Sequence, residues 1–332
     1  MNGPKNGSSG AAHDDPFADP IASSTPPPSP LVDESSASLP SGNDGAHTGT
    51  TPPAPTGPRR VSAASVDRIR DRLSDRDRDV LRSVGEHQFM TSQQIERLHF
   101  ATVAPSARGR IARRALARLR DLRVLDTLER RIGGSRAGSA GFIYHVGVAG
   151  ARILAGSGRG GGRLRYEPTT RFVDHRLAIA DAHIALTTAS RAGRFELVDS
   201  AIETASWRRF TGIGSARCIL KPDLFAETAT REASGQVRAW FIEVDLGSEH
   251  IPTVLTKCRE YEAYRQTGIE QDRHGAFPIV VWSMTHQVPE KAARRRQALT
   301  EAIAADRHLP GALFRIVAPQ QLLPLIERGG AL

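Results

Sequence analysis

The segment from Val237 to Leu246 constrains the fold more than any other part of the 332-residue chain. It reads VRAWFIEVDL, an apolar run of strand length in which Glu243 and Asp245 occupy alternate positions. Because successive side chains of a strand point to opposite faces, the two carboxylates share one face of the strand. Charged groups within an otherwise apolar strand need a partner or a function.

Helical and strand patterns alternate around this segment. They predict an α/β (α+β) domain whose mixed sheet is covered by helices on both faces. The predicted elements are a helix at 172–189, strands at 195–202, 218–226 and 237–246, a helix at 250–266, a strand at 277–282, a helix at 289–305 and a strand at 313–317.

The first 58 residues differ in composition from the rest of the chain. They hold 12 of the 21 prolines and a single aromatic residue, Phe17, so they bury too little apolar surface to offset their ordering entropy. We predict a disordered tail over 1–58, with a net charge of −5 that leaves +14 on residues 59–332. A region this basic, with its charge carried almost entirely by arginine, is typical of proteins that bind polyanions.

A second boundary is predicted at residues 156–162, which read GSGRGGG. Five of these seven residues are glycine, a composition typical of a linker. The sequence therefore predicts one domain at 60–155 and another at 163–332.

The first domain is predicted to contain three helices followed by a two-stranded hairpin. Ser74 with Asp77 marks the start of the first helix, and Thr91 with Gln94 forms a capping box for the second. A third helix follows Pro105, and strands at 124–128 and 142–146 flank a glycine-rich turn. The apolar stripe of the third helix is predicted to contain Ile111, Ala115, Leu119 and Leu122. This order of elements is that of a winged helix-turn-helix domain.

Seven arginines of the predicted winged helix are candidates for contacts with double-stranded DNA. Four lie opposite the apolar stripe of the third helix, and three lie on the hairpin, where they would meet phosphates. They are Arg110, Arg113, Arg114, Arg120, Arg130, Arg131 and Arg136. A solvated arginine face and a winged helix that binds protein are the alternative interpretations.

The predicted chemistry of the second domain depends on three carboxylates. Asp223 lies at the start of a strand pattern, and it converges with Glu243 and Asp245 if the two strands pair as a hairpin. Carboxylate oxygens of this kind are the ligands that Mg²⁺ prefers, and a metal bound there could activate water. We therefore predict Asp223, Glu243 and Asp245 as metal ligands.

These residues resemble the motif of the PD-(D/E)XK nuclease-like superfamily, which is Pro-Asp followed by a strand bearing (Asp/Glu)-x-Lys. Pro222 and Asp223 match its first half, Glu243 matches the acidic position, and Asp245 stands where the lysine is expected. The resemblance implies a nuclease-like fold and catalytic roles for the matching residues.

The resemblance also implies another source for the missing lysine. Some members of the superfamily carry a lysine, or a Gln-x-x-x-Tyr element, on the following helix. Lys257 and Tyr261 lie four residues apart there and share a helix face, so both are predicted catalytic residues. Lys221 is a second source of a lysine beside Asp223.

A winged helix followed by HRLAIADAHIAL, LKPDLFAE, FIEVDLGSE and KCREYEAY resembles the actinobacterial replication-relaxation family over roughly residues 70–320. The resemblance implies a role in plasmid or mobile-element replication and DNA transfer, in which a relaxase or replication initiator could be a partner. We expect a DNA-binding protein whose nuclease-like domain is degenerate or weakly active, because the strand lacks its lysine. An active Mg²⁺-dependent deoxyribonuclease and a winged-helix transcriptional regulator are the alternatives.

Other classes of site are excluded by composition or spacing. Cys218 and Cys258 are the only cysteines, which excludes a disulfide framework and a cysteine-rich zinc site. His175, Asp181 and His183 are expected to pack rather than bind metal, because residues 175 and 181 do not share a helix face. The sequence shows neither a signal peptide nor an apolar run that could cross a bilayer, so we expect a cytoplasmic protein with no membrane partner. Its oligomeric state is not readable from the sequence.

Overall fold

The computed structural model of the protein describes residues 61–128, 141–156, 168–229 and 236–331. The chain divides into two units, Met1–Gly57 and Pro58–Leu332, and every described residue belongs to the second. The predicted tail at 1–58, the hairpin arginines Arg130, Arg131 and Arg136, and linker residues 157–162 lie outside the described residues.

The described residues form ten α-helices and ten strands, together with short 3₁₀ turns. The helices are α1 (Ala63–Arg72), α2 (Asp75–His87), α3 (Ser92–His99), α4 (Pro105–Asp121), α5 (Val148–Gly156), α6 (Thr170–Arg191), α7 (Ile251–Arg265), α8 (Ile269–His274), α9 (Pro289–Ala305) and α10 (Leu322–Glu327). The strands are β1 (Met90–Thr91), β2 (Leu125–Thr127), β3 (Ile143–Val146), β4 (Glu196–Ile202), β5 (Arg208–Thr211), β6 (Arg217–Leu220), β7 (Leu224–Ala229), β8 (Val237–Asp245), β9 (Ile279–Met284) and β10 (Phe314–Val317).

The first part of the chain has the element order of a winged helix, as predicted. Helices α2, α3 and α4 precede the antiparallel pair β2–β3, and the short strand β1 adds to the other side of β3. Both predicted helix starts are present, since Ser74 with Asp77 and Thr91 with Gln94 form reciprocal capping boxes. Helices α1 and α5 flank this arrangement and were not predicted.

The apolar stripe of α4 differs from the prediction by a rotation of about one residue. Ala112, Leu116 and Leu119 are buried, whereas Ile111 is 39% exposed. The helix carries two overlapping apolar stripes, and packing selects the one that places the large Leu116 side chain in the core shared with α2 and α3. Pattern alone could not separate the two stripes.

The second part of the chain is built on a mixed five-stranded sheet of order β10-β9-β8-β7-β4. Strands β4, β7 and β8 pair antiparallel, and β8, β9 and β10 pair parallel. Helices α7 and α9 lie in the two connections between parallel strands, as such crossovers require. Buried side chains lie on both faces of the sheet, with α6 and α10 covering one face and α7 and α9 the other.

The strand predicted at 218–226 was wrong, because the structure divides it into β6 and β7, which belong to different sheets. Strand β6 pairs with β5 in a separate hairpin, and β7 enters the central sheet. Residues 221–223 form the break, and Pro222 has no backbone N–H to donate to a sheet ladder. This break places Asp223 immediately before β7.

Helix α6 joins the helical and sheet-containing parts. The Gln94 side chain of α3 donates a 2.8 Å hydrogen bond to the Leu177 carbonyl of α6. The Nε2 atom of His87 lies 3.0 Å from Nδ1 of His183.

The predicted division near residues 156–162 stays a prediction. In the part of the chain that the structure describes, no helix combines the length and apolar character needed to cross a membrane.

Candidate active site

A pocket of about 860 Å³ opens where α6 begins, β8 ends and α7 begins. Four of the predicted site residues line it: Asp223, Glu243, Asp245 and Lys257. The rest of the lining comes from the first turns of α6, from the segment after β8 and from the end of β9. The fold therefore brings the predicted carboxylates and the lysine of α7 to one cavity.

Strand register explains how Asp223 reaches this pocket. Leu224, the first residue of β7, pairs with Ile242 of β8, so Asp223 lies beside the end of β8 that carries Glu243. The Oδ2 atom of Asp223 accepts a 2.8 Å hydrogen bond from the backbone N–H of Val244. This bond ties the loop before β7 to the strand that bears the acidic motif.

Glu243 is the most enclosed carboxylate of the site, with only 1% of its surface exposed. Its Oε2 accepts a 2.5 Å hydrogen bond from Lys257 Nζ, and its Oε1 accepts one from the Tyr261 hydroxyl. Burial raises the pKa of Glu243 to about 8, although Lys257 opposes the shift. Burial therefore favours the protonated form of Glu243 even with Lys257 present.

Lys257 and Tyr261 act on Glu243 from one face of α7, as their spacing predicted. Burial disfavours the ammonium of Lys257, but Glu243 and Asp223 outweigh it and raise the pKa of Lys257. Burial and the adjacent Glu243 raise the pKa of the Tyr261 hydroxyl well above its ordinary value. Lys257 therefore stays charged and Tyr261 stays a neutral hydrogen-bond donor.

His175 and Glu203 approach Asp223 from its other side. His175 Nε2 donates a 3.0 Å hydrogen bond to the Val244 carbonyl and lies 3.4 Å from Asp223 Oδ2. One ligand atom from each of His175, Glu203 and Asp223 lies within 4.8 Å of the others, which is close enough to hold a metal ion. Glu203 lies outside every predicted motif, so sequence reasoning missed it, and no spacing signal connects it to Asp223.

The ionisation of this cluster follows from burial and from its internal pairs. Burial raises the pKa of Glu203, and Arg176, which forms an ion pair with Glu203, only partly opposes the shift. Burial acts in the same direction on Asp223, but His175, Lys257 and the Val244 N–H together lower its pKa. Burial lowers the pKa of His175, while the bond to Asp223 raises it to a net value above the ordinary one. Asp223 is therefore the carboxylate of this group that ionises most readily.

Asp245 and Lys221, two candidate residues of the predicted site, contact groups outside the Asp223–Glu243–Lys257 group. Asp245 accepts a 2.7 Å bond from Arg295 Nε and a 2.9 Å bond from the Gly247 N–H, so its carboxylate is already neutralised. Lys221 lies with its Nζ 4.8 Å from the centre of the Trp207 ring and does not line the pocket. Of the two lysines considered from the sequence, Lys257 is the one that the structure brings to Glu243.

Asp181 and His183 of α6 lie outside the pocket lining, whereas His175 differs from the expectation that it only packs, because it belongs to the group that is close enough to hold a metal ion. His183 is hydrogen-bonded to His87 and Ser200. The Oδ1 atom of Asp181 lies 3.5 Å from a guanidinium nitrogen of Arg97, and both residues line another cavity. Only His175 of this set faces the pocket that contains Asp223.

The four predicted arginines of α4 lie on its exposed side. Arg110, Arg113, Arg114 and Arg120 are all exposed, and the Arg120 guanidinium lies 5.7 Å from the centre of the Phe142 ring at the base of the hairpin. Arg118, on the same helix, instead binds both carboxylate oxygens of Asp77, at 2.6 and 2.7 Å. The helix therefore divides its arginines between a structural ion pair and an exposed basic face, which we call the α4 face.

A family model described as replication-relaxation matches residues 81–280. The chain belongs to the replication-relaxation family. The match extends from within α2 to within β9, so this replication-relaxation protein contains both the α4 face and the Asp223–Glu243–Lys257 group inside the matched range. No curated protein and no solved structure matched the chain. The family supports a replication-related, DNA-associated role.

Proposed function

We propose that this replication-relaxation protein binds double-stranded DNA through the α4 face and hydrolyses phosphodiester bonds in the pocket with the help of a divalent cation. The observation that carries the proposal is the meeting of Asp223, Glu243 and Lys257 at one cavity. Lys257 supplies from α7 the ammonium group that strand β8 lacks at Asp245. The family context extends the proposal to plasmid or mobile-element DNA, with a relaxase or replication initiator as protein partner.

The residues present fit a hard cation such as Mg²⁺. Asp223 and Glu243 offer carboxylate oxygens beside an open cavity, and a cation bound there would offset the burial that raises the pKa of Glu243 and so favour its ionised form. Asp245 fits less well, because its cationic partner Arg295 lies outside the pocket lining, whereas Lys257, the partner of Glu243, lines the pocket and can turn to a phosphate when a metal binds. We therefore assign the ligand role to Asp223 and Glu243. A bound Mg²⁺ would stabilise charge on the phosphate and lower the pKa of a bound water.

The remaining side chains position these groups. Tyr261 fixes Glu243 through a hydrogen bond to Oε1 and leaves the second oxygen toward Lys257. The Lys257 ammonium, held at the pocket wall, is placed to contact a phosphate oxygen that becomes more negative during the reaction. His175 borders Asp223 and Val244 and restricts both. Contacts within the described residues support these proposed roles.

Nicking of supercoiled plasmid tests the proposal. The purified protein should convert supercoiled DNA to open circles with Mg²⁺ or Mn²⁺ and not with EDTA. Asp223→Ala and Glu243→Ala should each abolish the conversion, while Asp199→Ala, a change at an exposed carboxylate of β4, should leave it intact. Nicking that persists in both site variants would disprove the assignment.

A second candidate function is DNA binding without cleavage, either in replication or as a transcriptional regulator. The observation that favours it is the internal neutralisation of the site, since Lys257 pairs with Glu243 and Arg295 pairs with Asp245. Salt-dependent duplex binding combined with no nicking under any divalent cation would select this function over the first.

A further inference from the structure

The ring of Phe172 is exposed at the mouth of the pocket. It lies in the first turn of α6, lines the cavity and is 39% exposed. Among the described residues, Phe142 and Phe172 are the two aromatic side chains in the set of exposed large hydrophobic residues. Phe142 lies beside Arg120 of the α4 face, whereas Phe172 faces the predicted catalytic groups.

The surroundings of Phe172 hold its ring in a defined orientation. The ring makes an edge-to-face contact with Phe89, with centroids 6.2 Å apart and planes at 89°. Phe89 is buried in a small apolar cluster with Ile143, Val173 and Leu177, so it forms a rigid support. A ring held in this way loses little conformational freedom when another flat group stacks on it.

The other groups of the pocket suit a nucleotide strand. Arg171, next to Phe172 and exposed, also lines the cavity. An arginine beside an exposed aromatic ring is the combination by which proteins bind single-stranded nucleic acid, since the base stacks and the cation contacts phosphate. A volume of about 860 Å³ lies within the range of pockets that enclose small organic ligands.

The charge of the pocket sets a condition on this ligand. Five carboxylates line it, of which Asp245 is paired with Arg295, and the cations Arg171 and Lys257 in the lining do not balance the other four. The five are Asp174, Asp223, Glu243, Asp245 and Glu249. A phosphate entering this acidic cavity is repelled unless a divalent cation neutralises the carboxylates.

We propose that the pocket binds single-stranded DNA, with one unpaired base stacked on Phe172 and the neighbouring phosphate on Arg171, in a manner that requires a divalent cation. The inference deepens the proposed function, because it names the substrate class of the same site. Duplex binding on the α4 face is a separate contact and does not require the cation. DNA that is melted, nicked or branched near the bound duplex can contact both the α4 face and the pocket.

Binding of a short oligonucleotide tests the inference without any need for cleavage. The probe is a ten-nucleotide single strand with 2-aminopurine at its centre, titrated with the full chain in Ca²⁺, and the readouts are anisotropy and the quenching that stacking causes. Phe172→Ala and Phe172→Leu should each weaken binding about tenfold and remove the quenching. Phe172→Trp should retain both, because its ring offers a larger π-face. EDTA should abolish oligonucleotide binding and leave the affinity for a duplex unchanged.

Phe142→Ala is the matched control, since it removes the other exposed phenylalanine and should leave oligonucleotide binding unchanged. Thermal unfolding of each variant establishes that it is folded. Three outcomes would each overturn the inference. Phe172→Ala could bind the oligonucleotide as tightly as wild type, or Phe142→Ala could lose as much affinity as Phe172→Ala. The third is oligonucleotide binding that EDTA leaves unchanged. Oligonucleotide binding that depends on Phe172 without plasmid nicking would support the inference and contradict the proposed catalysis.

Discussion

Lys257 Nζ lies 2.5 Å from Glu243 Oε2 and so joins α7 to the end of β8. The two residues are fourteen positions apart, and the loop after β8 returns the chain to the same cavity. Asp245, two residues after Glu243, occupies the strand position where the resemblance noted from the sequence would place a lysine, and Arg295 neutralises it. A cation that the strand lacks is therefore present at the site, supplied by the following helix.

Lys257→Met is predicted to remove cleavage while preserving duplex binding. The variant lacks the ammonium that we propose stabilises charge on the phosphate, and removal of one such group costs on the order of 10²–10³ in rate. Plasmid nicking rates measure the effect, and Lys221→Met is the matched control, because Lys221 contacts Trp207 outside the pocket. Equal rates for Lys257→Met and wild type would exclude Lys257 from catalysis.

Arg113→Ser combined with Arg114→Ser is predicted to weaken duplex binding at every DNA sequence. If each arginine contacts one phosphate, the slope of log K against log salt becomes shallower by about 1.8. Fluorescence anisotropy with a labelled duplex at several salt concentrations measures the slope. The control is Lys291→Ser combined with Arg294→Ser, which removes two exposed cations from α9. An equal loss in both double variants would show that net charge, and not the α4 face, governs binding.

Asp77→Ala is predicted to destabilise the fold by about 2–4 kcal/mol, the combined loss of a helix cap and of charged hydrogen bonds. Asp77 is 2% exposed, accepts from the Ser74 backbone N–H in the capping box and receives both bonds from Arg118. Asp75→Ala, at a neighbouring side chain that is 98% exposed, should change the free energy of unfolding by less than about 0.5 kcal/mol. Urea unfolding of the two variants gives the comparison, and similar losses would contradict a special role for Asp77.

His183→Gln is predicted to reduce the acid sensitivity of the fold. His87 donates through Nδ1 to the Ser83 carbonyl, so its Nε2 accepts from His183 Nδ1, and His183 Nε2 in turn accepts from the Ser200 hydroxyl. Burial lowers the pKa of His183 to about 4 and, with the nearby His183, lowers that of His87 to about 3. Both rings are therefore neutral in the folded protein.

The sign of the pH effect follows from these lowered pKa values. The unfolded chain takes up protons below about pH 6.5, while the folded chain resists them, so stability falls as pH decreases from 6.5 toward 4. Each histidine contributes about 1.4 kcal/mol per pH unit over this range. Glutamine can keep both hydrogen bonds without titrating, so the slope for His183→Gln should be shallower by about that amount. His308→Gln, at an exposed histidine, tests whether loss of any imidazole has the same effect.

Local patterns predicted those features that depend on neighbouring residues. The capping boxes at Ser74 and Thr91 formed because each needs only the residue three positions ahead. The spacing of Lys257 and Tyr261 predicted that both would act from one face of α7, and both contact Glu243. The rotation of α4 and the break at Pro222 were missed, because each depends on which surface the element packs against.

By itself, the sequence determined the types and order of most elements, the alternation that puts Glu243 and Asp245 on one strand face, and the concentration of arginine on α4. Only the tertiary structure decided that Glu203 and His175 lie beside Asp223, that Asp245 pairs with Arg295, and that Lys221 lies away from the pocket. The physical reason is that periodicity acts along one element. Proximity between elements depends instead on strand register and helix packing, which many distant residues determine together.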